Sequence, residues 1–294
     1  MYRLPKFEYF KARSVENAVE LLSKYKNAKL LAGGTDLLVD MKIGRVKPDY
    51  VIDISGIEEL RYIVDTGESL NIGSLTTIQD ILDSPVVKNK TPLLREVALK
   101  FAYWQVRNTA TIGGNICNAS PAADFAPPLL SYEAVLRTIS SRGERFIPVT
   151  EFFQGPRQTT LRDDEILLEV IIPYKHLERA GFSYMKIGRR QGHDISIVSI
   201  AALVVIVDNT IIDARVALNS VASKPVRARS VEQVVINREP AMIVFEEASR
   251  QVEKDISPIT DIRAPAEYRL HIAKILTREA LLEASKRALR CGFE

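Results

Sequence analysis

After Ser14, apolar residues fall at Val15, Ala18, Val19 and Leu22, a spacing that puts all four on one face of a helix, with the Ser14 hydroxyl placed to cap its first turn. The nearly continuous apolar run at 28–32 then reads as a buried strand, so the chain is expected to open with a helix before a strand. Gly33 and Gly34 close that strand, an amphipathic stretch reaches Ile43, and 50–54 forms a second apolar strand. A middle region predicts short strands near Leu70 and Ile72, helices near 77–82 and 92–101, and a second glycine pair at Gly113 and Gly114. Beyond it, 134–139 and 145–149 flank the turn Ser141-Arg142-Gly143-Glu144 as a hairpin, and 165–172 is a strand stopped by Pro173.

The texture changes near Gly181. A strand to Ile187, the apolar run 197–207, the turn Asp208-Asn209-Thr210 and a return strand over 211–218 predict an antiparallel hairpin sheet. Apolar positions at helical spacing in 241–252 and 265–289, Ile272, Ile275 and Leu276 among them, predict helices that back this sheet. The expected fold is α+β in three lobes, residues 1–55, 56–175 and 176–294, and no internal repeat is present.

A chain of 294 residues with 46% hydrophobic and 26% charged residues can bury a sizeable core. Its net charge of +3 is spread among mixed signs, which argues against nucleic acid or an anionic membrane as partner. The first residues lack an apolar signal core, and the apolar stretch at 195–207, interrupted by Ser196 and Ser199, is too short to span a bilayer, so a cytoplasmic protein is expected. Cys117 and Cys291 match no ligand spacing. With only three histidines besides, the chain holds no disulfide framework, no metal site and no iron–sulfur cluster of its own.

Glycine tolerates positive φ and has no side chain to block an approaching phosphate, so a glycine pair leaving a strand can expose backbone N–H groups as an anion nest. Two such segments, Ala32-Gly33-Gly34-Thr35-Asp36 and Thr111-Ile112-Gly113-Gly114-Asn115, could face a dinucleotide's two phosphates from opposite sides, with Thr35, Thr111 and Asn115 adding side-chain donors. Either pair taken singly is more often a plain tight turn, and neither matches the Rossmann or P-loop fingerprint. What raises the second is its sequel, a polar segment from Asn115 through Pro121 that ends in Asp124 beside an apolar run.

Five ordered segments carry a resemblance over nearly the whole chain: 30–37, 105–115, 119–124, 164–168 before Pro173, and 186–195. They resemble the FAD-binding medium subunits of the xanthine dehydrogenase, carbon monoxide dehydrogenase and aldehyde oxidoreductase group of molybdenum hydroxylases. The resemblance implies a two-lobed FAD-binding domain of the vanillyl-alcohol-oxidase/PCMH type and a C-terminal α+β lobe, an antiparallel sheet backed by helices. By the same resemblance, Leu30, Leu31, Ala32, Gly33, Gly34, Thr35 and Asp36 with Thr111, Ile112, Gly113, Gly114 and Asn115 wrap the FAD pyrophosphate and ribityl chain. Phe101 and Ala102 lie near the adenine, and Asp124 bonds ribityl or adjoining hydroxyls. Leu167 packs near the isoalloxazine, Lys186 reaches its polar edge, and Asp194 and Ile195 lie over the flavin face.

Each has a structural alternative: Leu167 and Phe101 as core, Lys186 as a solvated lysine, Asp194 as a turn or cap, His193 as an exposed loop residue. The resemblance further implies partners: an iron–sulfur small subunit with [2Fe-2S] clusters and a molybdopterin large subunit, in a heterotrimer or its dimer. Electrons would pass through FAD to an external acceptor. A stand-alone FAD oxidase of the same architecture is the other reading; it often bonds flavin to a histidine, and neither glycine pair contains one.

Overall fold

The computed structural model describes residues 3–175, 177–190 and 194–291. His193, expected to be exposed, lies outside the described residues.

Strand Glu8–Lys11 runs parallel to Tyr50–Asp53, which pairs in parallel with Ala28–Leu31 on its other side. Parallel strands cannot be joined by a tight turn, so the helix Val15–Lys24 carries the chain from Glu8–Lys11 to Ala28–Leu31, the two edges of the sheet, and buries Val15, Ala18, Val19 and Leu22 against it. Ser14 caps it, its Oγ accepting from Asn17 N at 3.2 Å, a contact worth about 1 kcal/mol. The opening is therefore strand–helix–strand, not helix first. Glu8–Lys11 escaped the pattern because it is an edge strand with no buried face: three of its four residues are exposed without alternation, so no period of two marks it.

The second lobe is built on a five-stranded antiparallel sheet in the spatial order Ile63–Asp65, Ser69–Gly73, Ile166–Pro173, Val135–Ser140, Gly143–Pro148. The central strand serves two cores. Ile166 and Leu168 face the first lobe's core, Leu167 the second's, and a bulge between Leu167 and Glu169 shifts the parity so that Val170 and Ile172 join Leu167. Helices Ile78–Asp83, Pro85–Lys90 and Pro92–Lys100 pack beside the sheet; Thr77 and Asp80 make a reciprocal capping box, and the latter two helices begin on proline, whose missing N–H costs nothing there.

The C-terminal sheet runs antiparallel in the order Ala180–Ile187, Val198–Val207, Thr210–Asn219, Val226–Arg227. Its second strand is apolar but for Ser199 because it is a wall between two cores. Val198, Ile200, Ala202, Val204 and Ile206 face the C-terminal helices, whereas Ala201, Leu203 and Val205 face the second lobe. The long helix Ala266–Cys291 crosses this sheet in backbone contact: a Cβ on Gly181 would lie 1.9 Å from Ala284 O. Ala280, Ala284 and Ala288, buried and four apart on one helix face, leave room for that approach.

Candidate functional site

Between the first and second lobes lies a cavity of about 510 Å³, within the range of ligand pockets, and a smaller one of about 300 Å³ opens on the other side of Gly33. Leu30, Ala32, Gly33, Gly34, Thr35, Asp36, Phe101, Thr111, Gly114 and Asn115 line the larger cavity, so ten of the sequence-predicted residues are brought together.

The first glycine pair is an open nest. Gly34 sits at φ +70, in the left-handed region that glycine enters freely. A Cβ on Gly33 would lie 1.8 Å from Thr109 O, so only glycine lets the segment before Thr111 close over the loop. Among the described residues, the N–H groups of Gly33, Gly34, Thr35 and Asp36 have no hydrogen-bond partner, although the loop lines a cavity. Gly33, Gly34 and Thr35 are half-buried and Asp36 is exposed, and half-buried N–H groups left unpaired are a standing demand for an acceptor. The Asp36 carboxyl is held above the usual range by burial and then by the charge of Asp40, with Arg157 opposing both.

The second glycine pair differs from the expected nest. Gly113 and Gly114 belong to the first turn of the helix Ile112–Cys117, and their amides are engaged: Ile112 N donates to Thr76 O at 3.1 Å, Gly113 N to Ser74 O at 3.0 Å, and Gly114 N to Thr111 Oγ1 at 3.0 Å. Gly113 serves close packing, since a Cβ there would lie 2.7 Å from Ser74 O. What this segment offers the cavity is side chain. Asn115 Oδ1 accepts from Phe125 N at 3.3 Å, and among the described residues its Nδ2 donors have no partner.

Leu31 and Ala102 are not among the residues lining the cavity, though each adjoins one that is; Ala102 sits at φ +31 with its carbonyl accepting from Arg107 Nη1 at 3.1 Å. Ile112 and Leu167 are buried in the second lobe's core, and Phe101 lines the cavity while stacking edge-on against Phe125. Lys186 is not solvated. Its side chain is 8% exposed, and Nζ donates to Asp124 Oδ2 at 2.9 Å and to Lys100 O at 3.4 Å. Burial raises the Asp124 carboxyl, opposed by Lys186 and the Tyr184 hydroxyl, which donates to Asp124 Oδ1 at 3.0 Å. Asp194 behaves as a turn residue, its carboxylate accepting from Arg189 N at 3.1 Å and Ile195 N at 2.9 Å, and Ile195 is exposed.

The sequence reading missed Asp40, Arg157, Tyr184 and Lys100. Lys100 Nζ donates to Tyr184 O at 2.7 Å, and burial lowers its ammonium's pKa. Arg157 contacts the buried carboxylate of Asp40, which also pairs with Arg45. An isolated Arg or Lys in sequence carries no sign of such pairing; the one local cue was the Gly155-Pro156 turn that precedes Arg157.

The cavity thus combines four unpaired amides, the guanidinium groups of Arg157 and Arg162 and the Asn115 amide with apolar walls from Leu22, Leu30, Phe101 and Leu161, and Asp36, Asp40, Asp163 and Glu165 line it as well. That donor set fits a long ligand with an anionic centre and flat rings. Residues 5–175 match the family described as the FAD binding domain in molybdopterin dehydrogenase, and residues 183–284 match the CO dehydrogenase flavoprotein C-terminal domain. The chain is similar to the xanthine dehydrogenase FAD-binding subunit of Escherichia coli O157:H7, 35% identical over 277 residues that span 94% of this chain and 95% of the relative. It is also similar to the glyceraldehyde dehydrogenase medium chain of Sulfolobus acidocaldarius, 34% identical over 281 residues, 96% and 99% of the two chains. In structure it resembles carbon monoxide dehydrogenase from Hydrogenophaga pseudoflava, with a TM-score of 0.94, 33% identity, and 97% and 99% of the two chains covered. With both domain families matched in order along its length, the chain belongs to the FAD-binding medium subunits of the molybdenum hydroxylases, the group of xanthine dehydrogenase and carbon monoxide dehydrogenase.

Proposed function

We propose that this chain is the FAD-carrying subunit of a molybdenum hydroxylase of the aldehyde or carbon monoxide type, an oxidoreductase in which it takes electrons from an iron–sulfur subunit and passes them to an external acceptor. The observation that carries this reading is the row of unpaired amides at Gly33, Gly34, Thr35 and Asp36 in the cavity between the lobes. Bound there, FAD supplies the redox chemistry, and the protein's part is to hold, orient and tune it.

The Gly33–Asp36 amides would donate to the diphosphate, with Leu30, Leu31 and Ala32 shaping the wall beneath them. Thr111 and Asn115 would contribute polar groups from the opposite side, while Ile112, Gly113 and Gly114 let that helix turn approach. Phe101 and Ala102 would border the adenine. Asp124 would meet the ribityl hydroxyls, Leu167 and Ile195 would border the isoalloxazine, and Lys186, already fixed by Asp124, would set charge at the ring's polar edge. Two cysteines are too few for a [2Fe-2S] cluster, which takes four protein ligands. The clusters and molybdopterin therefore reside in a small and a large partner subunit, in a heterotrimer or its dimer. The lobe division at 1–55, 56–175 and 176–294 and a cytoplasmic location belong to the same proposal.

Native purification tests it. One acid-extractable FAD per chain and co-purification with an iron–sulfur and a molybdenum subunit are expected. A colourless folded protein, or a chain that runs alone and oxidises an aldehyde without a molybdenum partner, would overturn the reading.

A further inference from the structure

Resting on the FAD assignment, we infer that Arg157 is the cation that binds the cofactor's diphosphate, with Asp40 and Asn118 as the residues that position it. Amide dipoles alone leave most of a diphosphate's charge unneutralised, and a planar guanidinium is the side chain that matches phosphate oxygens in pairs. Arg157 lines the same cavity as Gly33, Gly34, Thr35 and Asn115. Its Nη1 donates to Asn118 Oδ1 at 3.1 Å and to the Asp40 carboxylate, whose side chain is 6% exposed. Among the described residues its Nε and Nη2 donors have no partner, which leaves one edge of the guanidinium for a ligand. Asp40 also holds Arg45, so one carboxylate stands between two cations, with Asp36 beside them in the same cavity.

The backbone supports the same assignment. Arg157 sits at φ +61, in the left-handed region that side-chain-bearing residues seldom enter, and its N–H is tied to Ala119 O at 2.8 Å. Arg157 follows Pro156 in the tight turn between Gly155 and Gln158, and that turn together with the Ala119 bond fixes its backbone beside the cavity. Lys29 and Arg162 also line the cavity, but among the described residues no ion pair fixes either one.

The test is a titration of the flavin-free full chain with FAD, riboflavin and ADP, which separates the diphosphate from the ring system. Arg157→Gly and Arg157→Asn are the variants of choice, because glycine and asparagine adopt this φ readily and neither strains the loop. FAD and ADP affinities are expected to fall about tenfold or more in both, the loss of charge-assisted hydrogen bonds, while riboflavin affinity is unchanged. Asp40→Asn raises the local positive charge, so a purely electrostatic role for Asp40 would tighten FAD; a positioning role weakens FAD and ADP and spares riboflavin. FAD affinity within about twofold of wild type in both Arg157 variants, or a parallel loss of riboflavin, overturns the role of Arg157, and tighter FAD in Asp40→Asn overturns that of Asp40. A folded wild-type chain that binds no FAD removes the cofactor assignment and this inference together, whereas tight wild-type binding with unchanged variants removes this inference alone.

Discussion

Removing the Lys186 ammonium should leave Asp124 as a buried carboxylate with a single hydrogen bond. The two side chains are 8% and 12% exposed and 2.9 Å apart, so neither has water to fall back on. Breaking a buried pair from one side costs about 3–5 kcal/mol. At about 2–4 °C per kcal/mol for a chain somewhat smaller than this one, Lys186→Met should lower the unfolding midpoint by on the order of 10 °C at neutral pH. The pH dependence identifies the cause. Burial raises the folded Asp124 pKa above its unfolded value, so the neutral acid favours the fold: that contribution is fully present below the unfolded pKa, about 3.9, and is lost as pH rises through the folded one. Lys186 opposes this rise, and its removal pushes the folded pKa higher still. The penalty of Lys186→Met should therefore be small near pH 4.5 and grow to a plateau above the new folded pKa. Thermal unfolding of the full chain across that range, with Asp124→Asn and the double variant, completes a mutant cycle. The double variant should recover much of the loss, because no charge is left buried. A penalty that does not change with pH, or a double variant no better than the sum of the singles, would refute the reasoning.

Gly33→Ala should lower both the unfolding midpoint and FAD content, since its Cβ would sit 1.8 Å from Thr109 O and overpacking of this kind costs about 1–3 kcal/mol or more. Gly67→Ala, at φ +86 with nothing within 4 Å of the new Cβ, is the control that tests backbone strain without a clash, and it should retain FAD fully. Cys117 is half-buried at the cavity wall, and burial of its thiol pushes it up to about 12, so in a Cys291→Ser background the folded chain at pH 8 should react with a thiol reagent far more slowly than the unfolded chain; equal rates would show that the cavity opens the thiol to solvent.

Elements with one dry face were legible in the sequence. Val15, Ala18, Val19 and Leu22 encode a helix because their spacing alone decides which face is dry, and Ser14 supplies a start signal that acts within three residues. The hairpin Val135–Ser140 and Gly143–Pro148 was legible for the same local reason. Glu8–Lys11 was not, since its place is given by parallel pairing with Tyr50–Asp53, forty-odd residues away, and of its own side chains only Phe10 is partly buried. The second glycine pair reads like the first along the chain, yet Ser74 O takes up the Gly113 amide and Thr111 Oγ1 the Gly114 amide.

By itself, then, the sequence determined the lobed α+β plan, the glycine turn that closes the strand before Gly33, and the family. These rest on periodicities and short signals carried by consecutive residues. The tertiary structure alone decided which amides stay open, that Lys186 is paired to Asp124 across 62 positions, and that Arg157 meets Asp40 across 117. Pairings over such separations follow from the path of the chain through the sheets. Charges become partners only after burial has brought them together and removed the water that would otherwise screen them.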